Sequence, residues 1–226
     1  MKRRDSSAGF SVTYYGYAAL LVHLEKLVLI DPGILHEKPL VETTAVCASY
    51  ILVSHAHPEN IGNTANHAID NGTMVISNNQ VIEELQRQNT PGYYLEPLAN
   101  GEVFDTKTGT TFTSYELRHS GFLAPRNTAF LVTGPQGSVL HLGHAKAYDV
   151  LRNSCPDLLC ISIAGKKKGT MDPSEAADAT VAIRARYVLP ICGDATQDND
   201  FMNIIKKRNT SATLLRPKIG ETYKIR

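Results

Sequence analysis

The feature that most constrains the fold of this chain is a series of short apolar runs of strand length, two of which, Leu158 to Ile163 and Tyr187 to Ile191, are almost uninterrupted by polar residues. A strand with one wet face alternates apolar and polar residues, whereas a strand covered on both faces reads as a continuous apolar run. The sheets are therefore expected in the interior, under helices. Ala19 to Leu24 and Leu27 to Ile30 flank Glu25 and Lys26 and read as a hairpin. Tyr50 to Val53, Thr73 to Ile76 and Thr110 to Leu117 read as further strands, and Thr128 to Val132 pairs with Val139 to Leu142 across Gly134 to Gly137.

Helices are expected between these runs. Asn78 or Asn79 can cap Gln80 to Gln88, whose Val81, Ile82 and Leu85 form one stripe. Asp172 and Pro173 offer an N-cap and a first-turn proline before Ser174 to Arg184. Asn199 to Arg208 places Phe201, Ile204 and Ile205 on one face and three cations in the last turn, where they complement the helix dipole. Two blocks, each with strands first and a helix after, fit an α/β sandwich of two sheets with helices outside, although composition does not choose it over another α/β layout.

The 226 residues suit one domain, 1–226, with 42% hydrophobic and 20% charged residues excluding a disordered or fibrous chain. Lys and Arg number 23 against 22 Asp and Glu, and this near-neutrality speaks against a surface built to grip a phosphate backbone. No apolar stretch approaches the roughly 18 residues of a membrane span. Met1 to Ser7 is basic and polar with no apolar run behind it, so no signal peptide is expected. Cys47, Cys155, Cys160 and Cys192 are irregularly spaced, which points to a reducing, cytoplasmic setting.

Chemistry concentrates at strand ends. Tyr50 to Val53 runs into Ser54-His55-Ala56-His57-Pro58-Glu59-Asn60; two histidines two apart in an extended turn can aim both rings at one point, as a metal requires. Thr110 to Leu117 runs into Arg118-His119, Val139 to Leu142 into Gly143-His144, and Tyr187 to Ile191 into Cys192-Gly193-Asp194. Four strand ends, each with a metal-competent side chain, converge where layered α/β folds hold ligands. His23 and His36 read as surface groups, His67 falls in a helix, and His141 reads as a core or surface residue or as a hydrogen-bond partner near His144.

With these motifs in order, the sequence resembles the metallo-β-lactamase superfamily, and within it a compact branch of metal-dependent hydrolases similar to ascorbate-phosphate lactonase. Gly16-Tyr17-Ala18 stands for Gly-His-Ser, Leu29-Ile30-Asp31-Pro32 for the Leu-Ile-Asp-Pro turn, and His55 to Asn60 for His-x-His-x-Asp-His. His119-Ser120, Gly143-His144-Ala145, Pro156-Asp157-Leu158, Met171 to Ala177 and Pro190-Ile191-Cys192 match later motifs. The resemblance spans nearly the whole chain and implies a four-layer αββα sandwich with a metal centre at one edge. It assigns His55, His57 and His119 to one metal, and leaves the second site rewritten as Glu59, Asn60, His144 and Cys192.

Three imidazoles and a water make an open zinc site, so one firmly bound Zn²⁺ is expected, with a second ion weak or absent. His144 could add a fourth imidazole and close the site, and Cys192 is a soft ligand that favours zinc. Glu59 is expected to orient the water, Tyr17 to donate to a substrate oxygen or simply pack, and Asp31 to hold an imidazole in its tautomer or merely cap its turn. Lys166, Lys167 and Lys168 form the one dense cationic run, with Arg118 and Arg126 as possible additions, and Lys167 and Lys168 would bind a small anionic substrate if the run is more than solvated loop. The activity implied is hydrolysis of an ester, lactone or phosphoester; the alternative is a sandwich that has lost turnover and serves as a binding or metal-stabilised scaffold. A nucleic acid partner is not expected, a homo-oligomer is compatible with the sequence, and no membrane association is expected.

Overall fold

The computed structural model describes residues 9–117, 125–165, 169–208 and 210–226. The first half comprises β1 (Phe10–Gly16), β2 (Ala19–His23), β3 (Leu27–Ile30), a small ear of β4 (Ile34–Leu35) and β5 (Lys38–Pro39), β6 (Tyr50–Val53), α1 (Pro58–Ile61), α2 (Thr64–Asn71), β7 (Met74–Ser77), α3 (Asn79–Arg87) and β8 (Leu95–Pro97). The second half comprises β9 (Val103–Asp105), β10 (Thr111–Leu117), β11 (Asn127–Gly134), β12 (Gly137–His141), β13 (Leu158–Ser162), α4 (Pro173–Ile183), β14 (Tyr187–Ile191), α5 (Ala195–Lys207) and β15 (Thr213–Leu214), after which β16 (Thr222–Ile225) returns to the first sheet.

Two seven-stranded sheets result, ordered β16-β1-β2-β3-β6-β7-β8 and β15-β14-β13-β12-β11-β10-β9. The hairpin read across Glu25 and Lys26 is the antiparallel pair β2–β3, with Val22 opposite Val28. Alternation along β13 shows why its run is apolar throughout: Leu158 and Cys160 join Val12, Leu20, Leu52 and Phe130 between the sheets, while Leu159 and Ile161 pack with Ala176, Ile183 and Phe201 under α4 and α5. On the other side, Leu29, Ile51 and Val75 pack with Ile61, Ala68, Val81 and Leu85 under α1, α2 and α3. The layers are helix, sheet, sheet, helix, as the motif order implied.

Local chemistry sets the helix starts. Asn78 accepts the N–H of Val81, and Asp172 forms a capping box with Glu175. The last helix begins at Ala195, earlier than the Asn199 expected from its apolar stripe, because Asp194 forms a second capping box with Gln197. His36 is exposed, but His23 is only partly so and its Nε2 lies 3.0 Å from the hydroxyl of Thr13. His67, on α2, is buried and donates from Nε2 to the carbonyl of Val41 at 3.0 Å. No helix among the described residues is long and apolar enough to cross a membrane.

Candidate metal centre

Strands β3, β6 and β7 run parallel, as do β12, β13 and β14. Beyond β6 the chain stays extended through His57, whose φ and ψ are −78° and 144°, before Pro58 starts α1. In extended chain, residues two apart project to one side, and His55 Nε2 lies 3.1 Å from His57 Nδ1. Two nitrogens bound to one zinc at about 2.0–2.1 Å in tetrahedral geometry stand about 3.3 Å apart, so this pair already approximates one edge of such a site.

The end of β12 supplies the third ring. Gly143, with φ of +57°, turns the chain so that His144 faces His55 with ring centroids 4.5 Å apart. A Cβ at Gly143 would lie 2.3 Å from Asn127 Oδ1 and 2.7 Å from Ser54 Cβ, so the turn requires glycine for space as well as for its dihedral. One donor atom from each of His55, His57 and His144 lies within 4.8 Å of the others. The donor set fits a zinc-like ion.

From β14 comes Cys192, whose N–H donates to the carbonyl of Tyr17 at 3.0 Å and whose Sγ lies 3.5 Å from His144 Nε2. Tyr17 meets the His144 ring edge-on at 5.5 Å. Burial above all, then the charges of Cys192, Glu59 and Asp31, hold the Tyr17 phenol in its protonated form far above the usual range. Glu59 sits partly exposed in the first turn of α1, outside the three-histidine group, and its carbonyl packs so closely on Gly33 that a Cβ there would come within 1.9 Å.

Beneath the rings lies a buried polar layer. Asp31 accepts from the backbone N–H of Ser54 at 2.7 Å, from the Ser54 hydroxyl at 2.7 Å and from the Asn60 amide at 2.8 Å. Ser54 Oγ in turn lies 2.9 Å from His55 Nδ1. Burial raises the Asp31 pKa, while His141 and the donors on Ser54 and Asn60 pull it back. His141, fully buried, donates from Nε2 to the carbonyl of Ala18 at 3.1 Å and accepts the N–H of Gly143 at Nδ1, so it props the turn that carries His144. Desolvation holds it neutral, with its pKa below the usual value for histidine.

The expected residues divide into three groups. His55, His57 and His144 come together, Cys192 and Tyr17 abut His144, and Asp31 reaches His55 only through Ser54. His119, Arg118 and the cationic run Lys166, Lys167 and Lys168 lie outside the described residues. Arg126, largely exposed, has its guanidinium 3.6 Å from the Glu116 carboxylate. Ser54 and Asn127 were not anticipated: a hydroxyl closing an apolar strand just before a histidine pair was a readable signal for the first, and nothing local marked the second.

A cavity of about 640 Å³ is lined in part by Asn78, Gln80, Asn100, Arg126 and Thr128, and by none of His55, His57, His144 and Cys192. Thr128, one of its lining residues, donates its backbone N–H to the carbonyl of Ser54 at 2.8 Å.

A two-sheet sandwich that gathers histidines from several strand ends at one edge defines the metallo-β-lactamase fold class. Residues 11–192 match the β-lactamase superfamily domain, and the chain belongs to that family. It is 26% identical over 190 residues to a UPF0173 metal-dependent hydrolase of Pyrobaculum neutrophilum, covering 80% of this chain and 82% of that one. A protein of the same description from Carboxydothermus hydrogenoformans is 28% identical over 193 residues, covering 80% and 83%. Among solved structures, Igni18, a metallo hydrolase of Ignicoccus hospitalis, superposes with a TM-score of 0.82 at 18% identity over 96% of this chain and 99% of that one. The metallo-β-lactamase fold protein YhfI of Bacillus subtilis gives 0.75 at 16% identity over 96% and 100%.

Proposed function

We propose that this protein is a zinc-dependent hydrolase that opens an ester, lactone or phosphoester bond with metal-activated water. The observation that carries this reading is the convergence of His55, His57 and His144 within 4.8 Å, in a chain whose relatives are described as metal-dependent hydrolases. Bound there, zinc would bring the pKa of a water ligand to about 7 and supply hydroxide at neutral pH. His55, His57 and His144 would hold the ion and leave its fourth position to water. The Tyr17 phenol, kept protonated by burial, donates a hydrogen bond to substrate oxygen. Glu59, at the exposed side of the site, orients the water. Lys167 and Lys168, of the one dense cationic run in the sequence, would draw in an anionic group of a small substrate.

The test is metal analysis of protein purified without chelator, followed by a screen of lactone, phosphodiester and thioester substrates. About one zinc per chain and a chelator-sensitive hydrolysis are expected; less than half an equivalent of any transition metal would overturn the assignment. A second reading, a metal-stabilised scaffold without turnover, is favoured by the 3.5 Å approach of Cys192 Sγ to His144, because four protein donors close a zinc site. Zinc present at full occupancy without hydrolysis of any substrate would favour it.

A further inference from the structure

We infer that Ser54 is a positioning residue that presets His55 for metal binding by fixing which ring nitrogen carries the proton. This rests on the proposed metal centre but concerns the metal-free protein directly.

The argument is a proton count. Asp31 is surrounded by donors: it accepts the Ser54 backbone N–H and the Asn60 amide, and it takes the Ser54 hydroxyl proton at 2.7 Å. The other close partners of Ser54 Oγ must then donate to it. Asn60 does so from Nδ2 at 3.3 Å, with its other amide proton on Asp31 at 2.8 Å. His55 Nδ1, at 2.9 Å, must also carry a proton. In the neutral ring this leaves the lone pair on Nε2, the atom that faces His57 Nδ1 at 3.1 Å. Without metal, His57 Nδ1–H donates to that lone pair, so a single direction of donation runs from His57 through His55 and Ser54 to Asp31.

All three inner members, Asp31, Ser54 and His55, are fully buried, so water cannot substitute for a missing partner at low cost. A carboxylate reaching a metal-binding imidazole through a hydroxyl serves the purpose of a direct carboxylate–histidine contact, which orients the ring and raises its basicity. Asn60 acts on the same group: its amide donates to both Asp31 and Ser54 and so holds the orientation of that pair.

The experiment reads the histidine ring nitrogens of the metal-free, ¹⁵N-labelled protein by long-range proton–nitrogen NMR at pH 8. A neutral His55 protonated at Nδ1 is expected, and a His55 protonated at Nε2 overturns the inference whether or not the protein binds zinc. Ser54→Ala should shift His55 toward Nε2–H and lower zinc affinity 10- to 100-fold in competition with a chelating dye. Unchanged affinity in a folded Ser54→Ala protein would also overturn it. A wild type that takes up no zinc at all would overturn the proposed function and leave the tautomer spectrum to decide this point.

Discussion

Asn127 Oδ1 accepts the backbone N–H of His144 at 2.8 Å, while its Nδ2 donates to the carbonyl of Leu142 at 2.9 Å. One buried amide at the start of β11 thus clamps both sides of the Gly143 turn that delivers the third histidine. Removing it strands a donor and an acceptor away from water, at a cost of about 1–3 kcal/mol each before relaxation. Asn127→Ala should therefore lower the melting temperature and weaken zinc binding together, as measured by thermal unfolding with and without metal. A variant as stable and as tight-binding as wild type would show that the turn holds itself.

Gly143→Ala should be more damaging than its size suggests. The position combines φ of +57° with a would-be Cβ 2.3 Å from Asn127 Oδ1, so the methyl group must displace the clamp itself. Strain at such a backbone is of order 1–3 kcal/mol before the clash is counted. Loss of metal at a temperature where the variant remains folded by circular dichroism is the expected signature.

Replacing a ring of the histidine group tests the site more directly. His57→Ala is expected to leave the fold intact, because His57 is only partly buried, and to abolish stoichiometric zinc and any hydrolysis. Elemental analysis after gel filtration gives the answer; retention of a full equivalent would place the ion elsewhere.

Cys192 allows a spectroscopic prediction. With Sγ 3.5 Å from His144 Nε2, the thiol stands at about the separation expected of neighbouring sulfur and nitrogen ligands on one zinc. On the metal-stabilised scaffold reading, with Cys192 as fourth donor, cobalt-substituted protein should show a sulfur-to-metal charge-transfer band that Cys192→Ser removes. Its absence from the wild type would leave Cys192 as a packing neighbour of the histidines.

A pH dependence follows from His67, whose burial lowers its pKa, with the Val41 carbonyl only partly opposing. Above pH of about 6.5 the ring is neutral in both folded and unfolded chains and its stabilising contact is fully present; as pH falls further, the unfolded chain takes up a proton that the folded chain resists. Each such group can lose up to about 1.4 kcal/mol per pH unit in that window. The stability advantage of wild type over His67→Gln should therefore shrink between pH 7.5 and 5.5, and a constant gap in denaturant titrations would refute it.

Much of the architecture was already legible in the chain. Apolar runs such as Leu158–Ile163 announced covered strands because alternating side chains must find apolar partners on both faces, and Asp172-Pro173 announced a helix start because capping is local chemistry. The His55–His57 pair was legible for the same reason, since two residues of extended chain fix where their rings point. What only the tertiary structure decided is which distant groups complete the site. His144 joins the pair because Gly143 turns and Asn127 clamps it, and Asp31 reaches His55 only through Ser54. The Asp31–Ser54 and Asn127–His144 contacts join residues 23 and 17 positions apart across neighbouring strands of one sheet, β3 with β6 and β11 with β12, whereas the meeting of His144 with His55 is set by how the two sheets pack face to face. Sequence specified the ligand types and the strand ends that carry them; packing of the two sheets specified their distances, on which coordination and proton placement depend.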